Sequence, residues 1–272
     1  MPAIPHAFDT QAVLSALEAL SRQAGDLIMD IYRSDFAVNA KADASPVTLA
    51  DERAEAHIVA ALHALMPGVP VVAEEAAARG QTEALAPGEA MFWLVDPLDG
   101  TREFVSRNGE FTVNIALISG AAPLLGVLHI PAQKRTYLGA VGQGAWSIDE
   151  GGRRAISCRR LDPRAAVLAC SRSHNDEAGM AAWLAAVHPG MALAQRLIVG
   201  SSLKFGLLAE GRADLYPRLS RTMEWDTAAG HAVLAAAGGQ VLDLQGRPLR
   251  YGKPGFENPH FVARGLDALH AA

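Results

Sequence analysis

The chain has 272 residues, long enough for one large domain or two joined lobes with a substantial core. Hydrophobic residues make up 50% and charged ones 19%, a composition that excludes a disordered chain. With 24 basic and 29 acidic residues the formal charge is −5, which argues against general electrostatic attraction to nucleic acid.

The first residues, MPAIPHAFDT, lack the basic cluster and apolar block of a signal peptide, and a cytoplasmic setting is expected. From Asp9, an N-cap candidate, apolar residues recur at helical spacing as far as Ile31. A second helix is predicted after Thr48, with Ala54, Ile58 and Leu62 on its apolar side and Pro67-Gly68 ending it. Two short strands follow, VPVVA before Glu74 and MFWLV before Asp96. Residues 113–132 contain no Asp, Glu, Lys or Arg, but Ser119, Gly120 and Pro123 divide them. FTVNIALIS and PLLGVLHI therefore read as paired buried strands rather than as a membrane span. TYLGAV is a further strand, placed before the turn GQGAW.

Beyond Gly151-Gly152 strands and helices alternate. VLACS reads as a strand, 177–187 as a helix and LAQRLIV as a strand. SSLKFGLLAEG is a helix closed by Gly211, ADLYPRL a strand, and 226–237 a helix stopped by Gly238-Gly239. This mixture predicts a layered α/β chain, with lobes 1–150 and 151–272 meeting near Gly151. Residues 81–90 read as an exposed loop, a lid if they fold over a pocket. Cys158 and Cys170 have no metal-type spacing and read as free thiols of a reducing compartment.

Five acids stand out: Asp51, Glu74, Asp96, Asp99 and Asp226. Taken singly, each has a structural explanation. Asp51 completes a capping box with Thr48, Asp226 suits a helix N-cap, and Glu74 can begin a solvated loop. Asp96 and Asp99 sit in a turn with Pro97 and Gly100. Taken together, they lie at strand ends and helix starts, where ligands of open α/β sheets are found. Two carboxylates about 4 Å apart repel by roughly 4 kcal/mol at an effective dielectric of ~20. Four or five in one pocket thus need cations or raised pKa values. An oxygen-only donor set suits Mg²⁺ or Mn²⁺ better than zinc.

The stretch FWLVDPLDGTREF and the following NGEFTVNIALIS resemble the signature of the lithium-sensitive, magnesium-dependent phosphomonoesterases, which include inositol monophosphatases. SPVTLADERAE and VVAEE upstream, and EWDTAAGHAVLAAAGG downstream, extend the resemblance over nearly the whole chain. It implies the alternating helix and sheet layers of inositol monophosphatase and fructose-1,6-bisphosphatase. It also implies two or three Mg²⁺ ions per site, with Mn²⁺ as a substitute and Li⁺ as an inhibitor. Glu74, Asp96, the Leu98 carbonyl, Asp99 and Asp226 would be the ligands. Asp51 and Thr101, with Glu74, would prepare the attacking water, and Gly100 would let the backbone approach the phosphate.

Within this family REFVSRNGEFTVNIAL, CSRSH, GSSLKFGLLAEGRADLYPRL, TMEWDTAAGHAV and ENPHFVA resemble the bisphosphate nucleotidase branch. That likeness implies adenosine 3′,5′-bisphosphate as substrate, AMP and phosphate as products, and a place in sulfur metabolism. His174, Ser201, Ser202 and Lys204 would hold the substrate, together with Gly100, Thr101 and Asp226. Arg212 and Arg218 are weaker candidates. The alternative enzyme is an inositol monophosphatase or another small sugar phosphatase, and the alternative of another class is a phosphatase-like docking module. The resemblance further implies that the chain can pair as a homodimer and can work at the inner face of a membrane.

Overall fold

The computed structural model describes residues 8–40, 46–83, 85, 91–172 and 177–266. The predicted contact His174 and most of the loop 81–90 lie outside the described residues. Helix α1 (Thr10–Tyr32) starts where expected, with Asp9 accepting from the N–H groups of Gln11 and Ala12. A short hairpin, β1 (Val38–Ala40) and β2 (Pro46–Thr48), leads into α2 (Leu49–Leu65). Then come β3 (Val71–Ala73), the short α3 (Glu74–Ala78), β4 (Met91–Asp99) and the short α4 (Thr101–Val105). The paired strands β5 (Thr112–Ser119) and β6 (Ala122–Ile130) form as predicted, followed by β7 (Arg135–Ala140), β8 (Gly144–Asp149) and β9 (Gly152–Ile156).

The rest of the chain alternates β10 (Ala166–Ser171), α5 (Glu177–Val187), β11 (Leu193–Val199), α6 (Leu203–Ala209) and β12 (Leu215–Arg218). It ends with α7 (Glu224–Ala236), β13 (Gln240–Asp243) and β14 (Phe261–Arg264). Among the described residues β3 to β9 form one seven-stranded sheet in sequence order, parallel only between β3 and β4. A five-stranded sheet runs β11-β10-β12-β14-β13.

Side-chain alternation along the strands builds the layers. Trp93 and Val95 of β4, with Ile115 and Leu117 of β5, pack under α1 and α2. Their neighbours Phe92, Leu94, Ala116 and Ile118 face the opposite way, onto α6 and α7. The other side of that helix pair meets Tyr216, Val241, Phe261 and Ala263 of the second sheet. Leu168, Cys170 and Val262 of that sheet then pack on Met180 of α5. The result is five alternating layers, α–β–α–β–α, in agreement with the expected architecture.

Two local expectations change, and β9, β13 and β14 form where no strand is predicted. β4 does not stop before Asp96 but runs to Asp99, with a shift in its pairing to β5 between those two acids. α7 begins at Glu224, so Met223 is the N-cap and Asp226 sits one turn inside. β9 has an exposed arginine-bearing face and pairs only through the hairpin with β8, so it lacks an apolar signal. The strands β13 and β14, four residues each, are too short to show a period. Among the described residues no helix is long and apolar enough to cross a membrane.

Candidate metal centre

Parity explains why an acid follows the core run of β4. Asp96 continues the Phe92–Leu94 face, toward α7, and pairs in register with Asn114 of β5. It is almost wholly buried, and its Oδ1 accepts the Leu98 N–H at 3.0 Å. Gly100 turns the chain next, with φ 91° in the left-handed region that favours glycine, and α4 begins at Thr101. Glu74 opens α3 directly after β3. That turn is fixed from α2, where Glu55 Oε2 accepts the Glu75 N–H at 2.6 Å while Arg79 holds the other carboxylate oxygen at 3.0 Å.

Asp226 reaches the same place from the second half of the chain. Carboxylate oxygens of Glu74, Asp96 and Asp226 lie within 4.8 Å of one another. Asp99 belongs to the group electrostatically, since its charge acts on both Asp96 and Asp226. Burial, then the charges of Glu74, Asp99 and Asp226, push the Asp96 carboxyl well above its usual range. Asp226 is pushed the same way by burial and by Asp99 and Glu74, against the Met223 N–H that donates to its Oδ2 at 2.8 Å. Asp99 is also raised, first by burial, although Ser202 and Lys204 offset part of the effect.

The two carboxylate oxygens of Asp51 face different partners. Its Oδ2 receives the Thr48 N–H at 2.8 Å and the Thr48 hydroxyl at 2.7 Å, closing the capping box. Its Oδ1 faces Thr101 Oγ1 at 3.3 Å, and that hydroxyl is 3.4 Å from the Leu98 carbonyl. Asp51, Thr101 and Leu98 thus form a polar chain leading to Asp96.

The predicted substrate groups divide. Ser201 lies beside Gly100 with a left-handed φ of 46°. Ser202 is buried and committed to the protein: its Oγ is 2.5 Å from both Asp99 Oδ2 and the Asp226 carbonyl, and it accepts from Asn114 at 3.0 Å. Lys204 is not on a solvent-facing helix side. It is 2% exposed, its Nζ donates to the Val199 and Ser201 carbonyls, and burial lowers its pKa to about 8. Arg212 is exposed and paired with Glu210. Arg218 is buried, and its Nε has no hydrogen-bond partner. The sequence reading missed Asn114, although a lone amide inside the apolar run FTVNIALIS is a signal for it. A cavity of about 290 Å³, lined by residues including Arg22, Asp26, His129, Lys134 and Glu150, contains none of these acids.

The converging groups are carboxylates, and burial and the neighbouring acids raise the Asp96 pKa despite the Leu98 N–H that donates to it. Such a group fits a hard divalent cation. The model of the inositol monophosphatase family matches residues 9–272. The chain belongs to the inositol monophosphatase family. Members of this family are metal-dependent, in keeping with the acidic cluster. The chain is 47% identical over 245 residues to the 3′(2′),5′-bisphosphate nucleotidase CysQ of Escherichia coli K12, covering 89% of this chain and 95% of that protein. The crystal structure of CysQ from Bacteroides thetaiotaomicron superposes with a TM-score of 0.76 at 36% identity, over 94% of this chain and 98% of that one. An inositol monophosphatase from Zymomonas mobilis gives a TM-score of 0.75 at 25% identity, over 95% of this chain and 94% of that one.

Proposed function

We propose that this chain is a Mg²⁺-dependent phosphomonoesterase that hydrolyses adenosine 3′,5′-bisphosphate to AMP and phosphate. The observation that carries the reading is the convergence of Glu74, Asp96 and Asp226 beside the Asp51–Thr101 pair. Glu74, Asp96, Asp99, Asp226 and the Leu98 carbonyl would hold the cations. Bound there, they supply charge neutralisation at the phosphoryl oxygens and a lowered water pKa. Thr101 and Asp51 orient the water, its proton passing toward Asp51, while Gly100 lets the backbone approach the phosphate closely. No covalent phospho-enzyme is required.

The substrate assignment has two supports. The likeness to the CysQ nucleotidases spans nearly the whole chain. Arg218, buried with an unpartnered Nε and close enough to act on the Asp226 charge, offers a cation for a second phosphate. His174 and Ser201 are proposed contacts on the likeness alone. So are Mn²⁺ substitution, Li⁺ inhibition, a cytoplasmic setting with contact at the inner membrane face, and a homodimer.

The test compares phosphate release from adenosine 3′,5′-bisphosphate and from inositol 1-phosphate, each with and without Mg²⁺. Faster, Mg²⁺-dependent release from the nucleotide supports the proposal. Equal or faster release from inositol phosphate favours the sugar phosphatase, and no release from either favours the docking role.

A further inference from the structure

The start of α7, which carries Asp226, is bound by a segment about thirty residues downstream. Residues 251–258 pass across the first two turns of α7. Glu224, the first residue of α7, is fully buried, and its carboxylate accepts the Gly252 N–H at 2.6 Å, the Lys253 N–H at 2.9 Å and Lys253 Nζ at 2.6 Å. Tyr251 Oη lies 3.4 Å from Thr227 Oγ1, and the Phe256 ring sits 6.0 Å from that of Trp225.

Asn258 ends the strap and is 5% exposed. Its N–H donates to the Thr222 carbonyl at 2.9 Å. Its Nδ2 donates to the Met223 carbonyl at 2.7 Å and to Thr227 Oγ1 at 3.0 Å, and Lys253 Nζ is 3.3 Å from its Oδ1. Met223 is also the residue whose N–H holds Asp226 Oδ2. Asn258 therefore grips one end of the Met223 residue, and Asp226 is tied to the other.

We propose that Asn258 is a positioning residue for Asp226, holding its carboxylate at the acidic cluster and so setting the cation affinity of the site. The inference rests on the reading of that cluster as a divalent-cation centre. Helix starts have unsatisfied N–H groups and fray unless they are fixed, and a ligand on a fraying turn spends less time in place. Loss of an outer partner of a metal ligand commonly costs about 10- to 100-fold in affinity or activity.

Mn²⁺ binding to metal-free protein, measured by calorimetry well below the unfolding temperature, tests this. Asn258→Ala should bind about tenfold more weakly than wild type. Ile148→Ala, a core truncation in β8, serves as the control for lost stability and should bind as wild type does. Asn258→Asp keeps the shape and the acceptor toward Lys253, but its carboxylate cannot donate to the Met223 carbonyl. It should weaken binding as well, which covers the case in which Asn258→Ala does not fold. Unchanged Mn²⁺ affinity in a folded Asn258 variant, or an equal loss in Ile148→Ala, overturns the positioning role alone. No Mn²⁺ binding by wild type overturns the cation-centre reading and the inference with it.

Discussion

The backbone N–H of Ser202 donates to Asp99 Oδ2 across 2.6 Å, and the Ser202 hydroxyl reaches the same oxygen at 2.5 Å. This contact joins the turn before α6 to the end of β4, between residues 103 positions apart in the chain. With the Asp226 carbonyl on the same hydroxyl, one serine links the two halves that supply the acids.

Asp96→Asn removes the most deeply buried charge of the cluster. Turnover with saturating Mg²⁺ should fall by about a hundredfold or more, as loss of a main electrostatic group commonly does. Stability without cation should hold or rise, because the desolvation of Asp96 and its repulsion with Glu74, Asp99 and Asp226 are removed. Steady-state kinetics and thermal melts in EDTA check both halves of the expectation.

The response to pH follows from the sign of the shifts. Asp96 and Asp226 have folded-state pKa values above the ordinary 3.8. As pH rises from 3.8 through those raised values, the folded form holds more protons than the unfolded one. Stability of the cation-free protein therefore declines across that window. Saturating Mg²⁺ should remove the decline, so the gap between melting temperatures with Mg²⁺ and with EDTA should widen as pH rises. A gap independent of pH would contradict this.

Gly200 sits where a side chain has no room. A Cβ there would lie 2.4 Å from Glu103 Cγ and 2.9 Å from the Glu110 carbonyl oxygen. Gly200→Ala must displace the turn that carries Ser202 to Asp99. The overpacking should cost about 1–3 kcal/mol of stability. Activity should fall about 10- to 100-fold, since an ångström of misplacement is enough for that. Denaturant unfolding and kcat at saturating Mg²⁺ measure the two effects.

His231 in α7 is buried against the Tyr251 hydroxyl at 3.0 Å, and burial lowers its pKa to about 3. The unfolded chain binds its proton near pH 6.5, so the stability linked to this group is present above 6.5 and is lost as pH falls toward 3. The loss between pH 7.5 and pH 5 is about 2 kcal/mol. Relative to wild type, His231→Gln should flatten the stability profile by about that amount, as read from urea unfolding at the two pH values.

Much of this molecule was legible in the sequence because its signals are local. Helical spacing after Asp9, the capping box at Thr48 and the apolar pair around Gly120 each show within a few residues, and each forms as expected. The acids were legible as a group because their number beside core strands needs explaining. Their partners were not. Ser202 and Lys204 read as substrate contacts until Asp99 is seen against the serine and the Val199 and Ser201 carbonyls are seen around the lysine. Asn258 lies in a loop with no period, and its meaning depends on α7 running alongside. Contacts between distant segments have no spacing from which to be read.

The helix pair α6 and α7 fills the space between two sheets, and both sheets close on it. Phe92, Leu94 and Ala116 would therefore face water in any fragment ending at Ile156. Such a half-chain would be an oily slab, prone to clump before a single ion could dock. Cation uptake is thus a report on the finished molecule, and proteolytic clipping between the sheets should silence it even where every acid of the first half survives.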